Sequence, residues 1–493
     1  MNREKNFSFN IWDIDVRVSE VAEESKMLEQ GDLQMIAGGK MNNKFLAPSL
    51  AALSLLTSMG ITTNVKAAPE ASPTVSVSDV QKSEQDNQEI QYLTKQQVIE
   101  DIDYMMSIVK KDHFSCVNEI PKEVLDQKEL EIQNLSENTS LIEEWRIISR
   151  ILVKLHDGHS FVLAPKCLNN KRLPFDVEYS DNKLFCTSGE FKGAEITEIN
   201  GVKLLDIYEN FKLHYSHEIE EWTNVNFFRC KPFITQSNLA LSGIDTFNPV
   251  EVSFKTNTGI VKNKFKFIED KSRTEIPFFS YEIDKKNNVG IFNLNRFRYT
   301  EEYKTTVDNF FEEIAKNNIK NVVVDLRRNP GGWGVDSAVY CFLRYLKNLE
   351  SFSMCKSEVR VGNEIKTLEP RTYTFDDILP LKSTKNLFDG KIFILTSNAT
   401  FSAAALFTEY FADNNLATIV GEVPGNSPTA FGGFFSTNYI TPNSKLHIYT
   451  THRKKYRTDS TKDPDRLIPD VQVSAKDALN KVYEIIEKDN GKS

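Results

Sequence analysis

The chain has 493 residues, 40% of them hydrophobic and 26% charged, which is ordinary for folded soluble protein and long enough for two or three domains. Its net charge of −9 argues against nucleic acid or an anionic membrane surface as a partner. The six cysteines (Cys116, Cys167, Cys186, Cys230, Cys341, Cys355) are scattered, with no CxxC pair and no zinc-ligand spacing, so neither a disulfide scaffold nor a metal site is expected, and one or two bridges after export stay open.

Residues 1–39 are polar and acidic and end in LQMIAGG. Counted back from the break after Gly39, Ile36, Leu33 and Leu28 are the fourth, seventh and twelfth residues, on one side of a short amphipathic helix. This segment resembles the double-glycine leader of bacteriocin-type peptides, which an ABC exporter bearing a cysteine protease reads and cuts. The competing reading is a flexible tail. The next stretch, 40–68, has a positive Lys44, an apolar run over 45–61 interrupted by Pro48, and a small-residue cleavage pattern at Val65-Lys66-Ala67. By its physics it is a secretory signal peptide, too short and broken for a transmembrane helix. Met41 as the true start and a membrane anchor retained at 45–61 are the alternatives. Either way the expected mature protein begins near Ala68 and works outside the cytoplasm.

Residues 69–93 are rich in Ser, Pro, Gln and acids, without apolar periodicity, and read as a linker. Over 94–170 the pattern is helical, with Val98, Ile102, Met105, Met106 and Val109 on one stripe and a second stripe over 145–155. This predicts a helical N-terminal cap. The region 171–270 turns to short alternating runs. In it GAEITEINGVKLL carries a strand into a tight Asn200-Gly201 turn and out again. It resembles the G-x-x-I-x-x-I-N-G segment of PDZ domains, which bind extended peptide by strand addition. A helical stretch over 206–241 departs from a compact PDZ domain.

From 275 to 488 strands alternate with helices, which implies a sheet covered on both faces. Strands are predicted at 289–294, 322–326, 391–395 and 417–421, and helices at 301–316, 337–346, from Ser402 onward, and 475–488. Three polar punctuations in this chain carry the chemistry. In TSNATFSAAALF a buried strand breaks into a helix at Ser402, where free backbone N–H groups and the positive helix end can receive an oxyanion. Taken alone, Ser402 has the plainer reading of a helix N-cap, which serines favour. In VDLRRNPGG a buried strand meets an Asn-Pro turn and the pair Gly331-Gly332, whose backbone can come close to a ligand. In LHDGHS two of the seven histidines lie beside an acid. His159 is the candidate base; a structural histidine, or metal binding with His156, is the alternative. Asp157 reads as structural, because so near a neighbour rarely points back at the ring.

Together LHDGHS at 155–160, DLRRNPGG at 325–332, NATFSAA at 398–404, VGE at 420–422 and IPDV at 468–471 resemble peptidase family S41, the tail-specific and tricorn-type serine proteases. The resemblance covers about 95–485. It implies an α/β crotonase/ClpP-like protease core with an inserted PDZ-like module and an N-terminal helical cap. It also implies a peptide or protein substrate and no metal or organic cofactor. In the tail-specific design a lysine downstream of the serine is the base, at a place that here falls near Ser427. No lysine lies between Lys391 and Lys445, so the Ser–Lys design is absent. The tricorn-like design uses a histidine, implicating His159, oriented by an acid shortly before the IPD motif. Asp463 fits that spacing best and Asp465 next. The chain departs from the tricorn pattern in having aspartates there and Gly158 before the histidine. The implied reading is an exported serine peptidase. Ser402 is its nucleophile, His159 its general base, and the backbone N–H groups of Ala403 and of Gly331 or Gly332 its oxyanion hole. A non-catalytic protein on the same fold, binding peptide or apolar ligands, is the alternative. The leader adds an ABC exporter as a candidate partner.

Overall fold

A computed structural model describes residues 91–491, except 169, 181–182, 230–231, 272–275, 371, 375–382, 384 and 435–438. The leader, the signal-like segment and all of the linker but 91–93 lie outside the described residues. Among those described, no helix is long and apolar enough to cross a membrane, and the five described cysteines are free thiols.

The alternating pattern in the second half builds a six-stranded sheet in the order Phe279–Asp284, Val289–Leu294, Asn321–Asp325, Lys391–Thr396, Thr418–Gly421 and Val471–Gln472. The first pair is antiparallel and every later pair parallel. Helices Glu301–Lys316, Val335–Leu343 and Ala403–Asp413 cover one face through Phe310, Phe311, Phe342 and Phe407. Helix Ala478–Asn490 covers the other through Ala478, Val482 and Ile486. Burial on both sides explains why the central strand reads as an unbroken apolar run, with Val322, Val323 and Val324 wholly inaccessible. The helix at 301–316 begins where its sequence signals put it, with Thr300 accepting from the Tyr303 N–H and two glutamates in the first turn. The next helix begins two residues earlier than the periodicity predicts. Gly334, in a left-handed conformation, turns the chain at Val335.

In the first half the predicted helical stretch is three helices, Lys95–Asp112, Lys122–Gln133 and Leu141–Leu152. Thr94 and Gln97 form a reciprocal capping box on the first, and Ser140 caps the third. The β-rich stretch is an antiparallel sheet in the order Gly259–Phe265, Val250–Thr256, Glu195–Ile199, Lys183–Cys186 and Val177–Ser180. Asn200 and Gly201 both have positive φ, as a two-residue hairpin turn requires. Helices Leu204–Lys212, Glu220–Asn224 and Gln236–Leu241 fill the predicted helical stretch. These helices, this sheet and the N-terminal helices share one core, in which Ile148, Ile151, Phe211, Phe227 and Phe254 are buried. The same core takes in Phe401, the residue before Ser402. That packing brings the first half of the chain against the carboxyl ends of the parallel strands.

Candidate active site

Strand Lys391–Thr396 ends in a turn that is fastened before it reaches Ser402. Ser397 Oγ donates to the Arg327 carbonyl at 2.6 Å, and Thr400 Oγ1 donates to the Leu326 carbonyl at 2.9 Å. The Phe401 N–H donates to the Asn329 carbonyl at 3.0 Å. These bonds tie the serine turn to the loop after the neighbouring strand. Ser402 then takes φ 52° and ψ −123°, a region that costs a residue with a side chain roughly 1–3 kcal/mol. Its hydroxyl caps nothing, so the capping reading of this serine does not describe it. Helix Ala403–Asp413 starts immediately after, which leaves the Ala403 N–H at the first helical position with no partner inside the helix.

The glycine pair lies against this turn. A Cβ on Gly331 would stand 2.7 Å from Ser402 Cβ and 3.1 Å from Ala403 N, and its φ of +105° also favours glycine. Asn329 organises the loop by donating to the Leu294 carbonyl at 2.9 Å and accepting the Gly331 N–H at 2.8 Å. This corrects one expectation: the Gly331 N–H is occupied by a side-chain carbonyl and is not offered to an oxyanion. Gly332 and Ala403 remain as the backbone candidates.

His159 arrives from the first half of the chain. Helix Leu141–Leu152 runs into a short 3₁₀ turn, which His156 ends in a left-handed conformation. His156 then points away, to Glu123 at 3.1 Å. Asp157 is the anchor of the loop. Its Oδ1 accepts the His159 N–H at 2.8 Å, while its Oδ2 accepts from Ser160 Oγ and Thr451 Oγ1, each at 2.6 Å, and lies 3.2 Å from His113 Nε2. Burial alone would raise this carboxyl, but the hydrogen bonds and charges of His113 and His159 outweigh it and hold Asp157 well below the usual carboxylate range. Asp157 anchors the loop, but the expectation that so near a neighbour does not point back at the ring is not met, since its Oδ1 stands 3.7 Å from His159 Nδ1. The imidazole rests on Phe401, ring centres 4.7 Å apart. Trp222 also stacks on Phe401, at 3.8 Å. The ring next to the serine therefore packs against both the histidine and the helix Glu220–Asn224.

The departure at Gly158 has a steric reason. A Cβ there would meet Glu218 Oε2 at 2.9 Å and the Phe401 ring at 3.0 Å. Glu218 is half-buried as a residue, but its side chain is only 8% exposed and has one carboxylate oxygen 4.0 Å from His159 Nδ1. Burial first, and the charge of Asp157 second, push its carboxyl well above the ordinary value. Its other oxygen accepts from Asn426 Nδ2 at 3.1 Å, and Asn426 Oδ1 accepts the Ser402 N–H at 2.9 Å.

The acids named from spacing lie elsewhere. Asp463 is exposed and accepts the backbone N–H groups of Asp465 and Arg466 at 2.8 and 3.2 Å. Asp465 is exposed on the same loop. The acids that the structure brings to His159 are Asp157 and Glu218. The cause is topological: a helical stretch far from the IPD segment in sequence fills the space behind the imidazole. No pattern in the sequence marks Glu218, which sits in an acidic run resembling a solvated helix face. Asn426 had a signal, since it adjoins Ser427, where the tail-specific proteases have their lysine.

Among the described residues, one oxygen or nitrogen from each of Asp157, His159 and Glu218 lies within 4.8 Å of the others, a group that could meet a cation. Both Asp157 oxygens already accept from protein donors, which a cation would have to displace.

Residues 288–473, somewhat over a third of the chain, match the model of peptidase family S41. Among curated proteins the chain is similar to a probable CtpA-like serine protease of Staphylococcus epidermidis, 28% identical over 151 residues, which are 30% of this chain and 27% of that protein. It is similar to another of the same description from Staphylococcus aureus, 28% identical over 177 residues, 35% of this chain and 32% of that one. The chain thus spans about a quarter to a third of the length of the curated relatives it matches. Among solved structures it is similar to mature CPAF complexed with lactacystin, with a TM-score of 0.57 and 12% identity over 80% of this chain and 97% of that one. That likeness concerns the fold. The family match and the relatives support a serine-peptidase hydrolase.

Proposed function

We propose that this chain is an exported serine peptidase that hydrolyses peptide bonds through an acyl-enzyme. The single observation that carries the reading is Ser402 itself. It is a serine in a strained backbone conformation at a strand-to-helix junction, its hydroxyl unused as a cap, its turn packed against a glycine loop on one side and, through Phe401, against an imidazole on the other.

His159 accepts the Ser402 hydroxyl proton as Oγ attacks the substrate carbonyl carbon. The N–H groups of Ala403 and Gly332 stabilise the oxyanion of the tetrahedral intermediate, helped by the positive end of the helix. The carbonyl re-forms, the amine leaves with the proton from His159, and Ser402 holds the acyl group. Water, deprotonated by His159, then releases the acid and restores the serine. Every step uses the chain's own residues.

The antiparallel sheet at 177–265 is read as a PDZ-like module that presents an extended peptide as an added strand beside Ser402, and the helices at 95–152 as its cap. Export through the 40–68 signal, and a double-glycine exporter as partner, rest on the sequence of segments outside the described residues. The N-terminus of the mature protein, found by mass spectrometry, separates them: Lys40 supports the exporter and Ala68 the signal peptidase.

The test of the central reading is a fluorophosphonate probe on the full chain. Labelling of Ser402, lost in Ser402→Ala and in His159→Gln, together with peptide hydrolysis that Ser402→Ala abolishes, is the expected result. Absence of labelling and of hydrolysis would leave a binding protein on the same fold.

A further inference from the structure

We propose that Glu218 is a positioning residue for this chemistry, coupling the base to the nucleophile through Asn426; the inference rests on the reading of Ser402 and His159 above. The Ser402 N–H, a donor, fixes the Asn426 amide with Oδ1 toward it at 2.9 Å. Nδ2 must then point the other way, and it meets Glu218 Oε2 at 3.1 Å. An amide so oriented demands an acceptor at that place, which a carboxylate satisfies. The second oxygen, Oε1, is buried without a hydrogen bond and stands 4.0 Å from His159 Nδ1. One carboxylate thereby fixes the amide that holds the serine's backbone and presents an acceptor to the ring nitrogen opposite the one that must take the serine proton.

Asp157 is nearer to Nδ1, at 3.7 Å, but its oxygens are committed to the His159 N–H, Ser160, Thr451 and His113. It contributes negative charge beside the ring and holds the loop. Glu218 has the uncommitted oxygen. Among the described residues, the polar groups that face the Glu218 carboxyl are Asp157, His159, Asn426, the Gly158 N–H and its own backbone N–H. No lysine or arginine is among them, so the imidazolium formed during catalysis is the cation that this carboxylate can meet. The packing agrees: Gly158 leaves the space that the carboxylate occupies, and the following helix carries Trp222 onto Phe401.

The test is the second-order rate of Ser402 labelling by a fluorophosphonate in full-length Glu218→Gln, Glu218→Asp and Asn426→Ala, with thermal unfolding in parallel. Glutamine has the shape of glutamate. Its oxygen satisfies Asn426, which turns its NH₂ donor toward Nδ1 and favours the ring tautomer that cannot accept the serine proton. The expected result is unchanged unfolding of Glu218→Gln with labelling down about 10²-fold or more, and partial rescue in Glu218→Asp, which keeps the acceptors. Asn426→Ala is expected to lose about tenfold, and the Glu218→Gln/Asn426→Ala pair to lose less than the product of the two. Labelling of Glu218→Gln within twofold of wild type overturns the proposal while the serine-peptidase reading stands. If Glu218→Gln fails to fold, Glu218→Asp and Asn426→Ala decide: both at the wild-type rate overturns it. Failure of the wild-type chain to label at all, with no peptide hydrolysis, is the separate failure of the underlying reading.

Discussion

Ser402 and His159 are held by regions built in different ways. The serine turn is fastened by a neighbouring parallel strand: three short bonds join the 397–401 segment to the Leu326, Arg327 and Asn329 carbonyls, within one sheet. The histidine loop hangs on one buried carboxylate, Asp157, whose partners lie 44 residues upstream at His113 and 294 residues downstream at Thr451. Strain is concentrated at the serine and charge at the histidine. The proposed nucleophile thus depends on a strand-turn-helix unit, and the proposed base on how two halves of the chain pack.

The largest effect should come from Ser402→Ala, which removes hydrolysis by about 10³-fold or more and leaves the urea midpoint near that of the wild type. Gly331→Ala tests whether the glycine loop and the turn act as one body. Its Cβ would meet Ser402 Cβ at 2.7 Å at a φ of +105°, so we expect a loss of about 2–4 kcal/mol in urea unfolding and a comparable collapse in activity. Asp157→Asn should loosen the base alone. It replaces a carboxylate that accepts four donors, at a cost of about 2–3 kcal/mol. Faster hydrogen exchange should appear at 155–162 and 447–452 and not at 397–402. Exchange that rises equally in both places would break the comparison.

Glu409, in the helix that starts after Ser402, tests electrostatics in the other half. Its carboxyl accepts from the Thr458 N–H and Oγ1, and burial raises it from 4.5 to about 7. The folded chain therefore keeps a proton that the unfolded chain releases between those values. The stabilisation is fully present below about pH 4.5 and is lost as pH rises through 7, to a total of about 3 kcal/mol. Glu409→Gln should flatten the dependence of unfolding free energy on pH across that window. The smallest effect belongs to Asp463→Asn and Asp465→Asn. Both residues are exposed, and the Asp463 carboxylate accepts the N–H groups of Asp465 and Arg466 in its own loop. Hydrolysis within about twofold of wild type is expected.

Much of the second half was legible because its signals are local. Thr300 and two following glutamates mark a helix start, an unbroken valine run marks a doubly covered strand, and DLRRNPGG and TSNATFSAA mark the two loops that meet. His159 was legible as a candidate because its motif is compact. The acid behind it was not. Asp463 has the right spacing but is turned to solvent, whereas Glu218 has no motif and is brought in by Trp222 packing on Phe401. Gly331 was read as a place where the backbone approaches a ligand; what the structure shows is its approach to the Ser402 turn. Only the direction of its N–H, taken by Asn329, escaped.

The alternation of strand and helix, the break at Ser402 and the lack of any lysine between Lys391 and Lys445 could be read directly from the chain, since each depends on residues adjacent along it. Packing alone set which carboxylates stand behind His159, that Asn329 takes the Gly331 N–H, and where Asn426 points. Those depend on burial, because a buried acceptor must find a donor. In this protein those donors and acceptors come from helices and loops far apart along the chain.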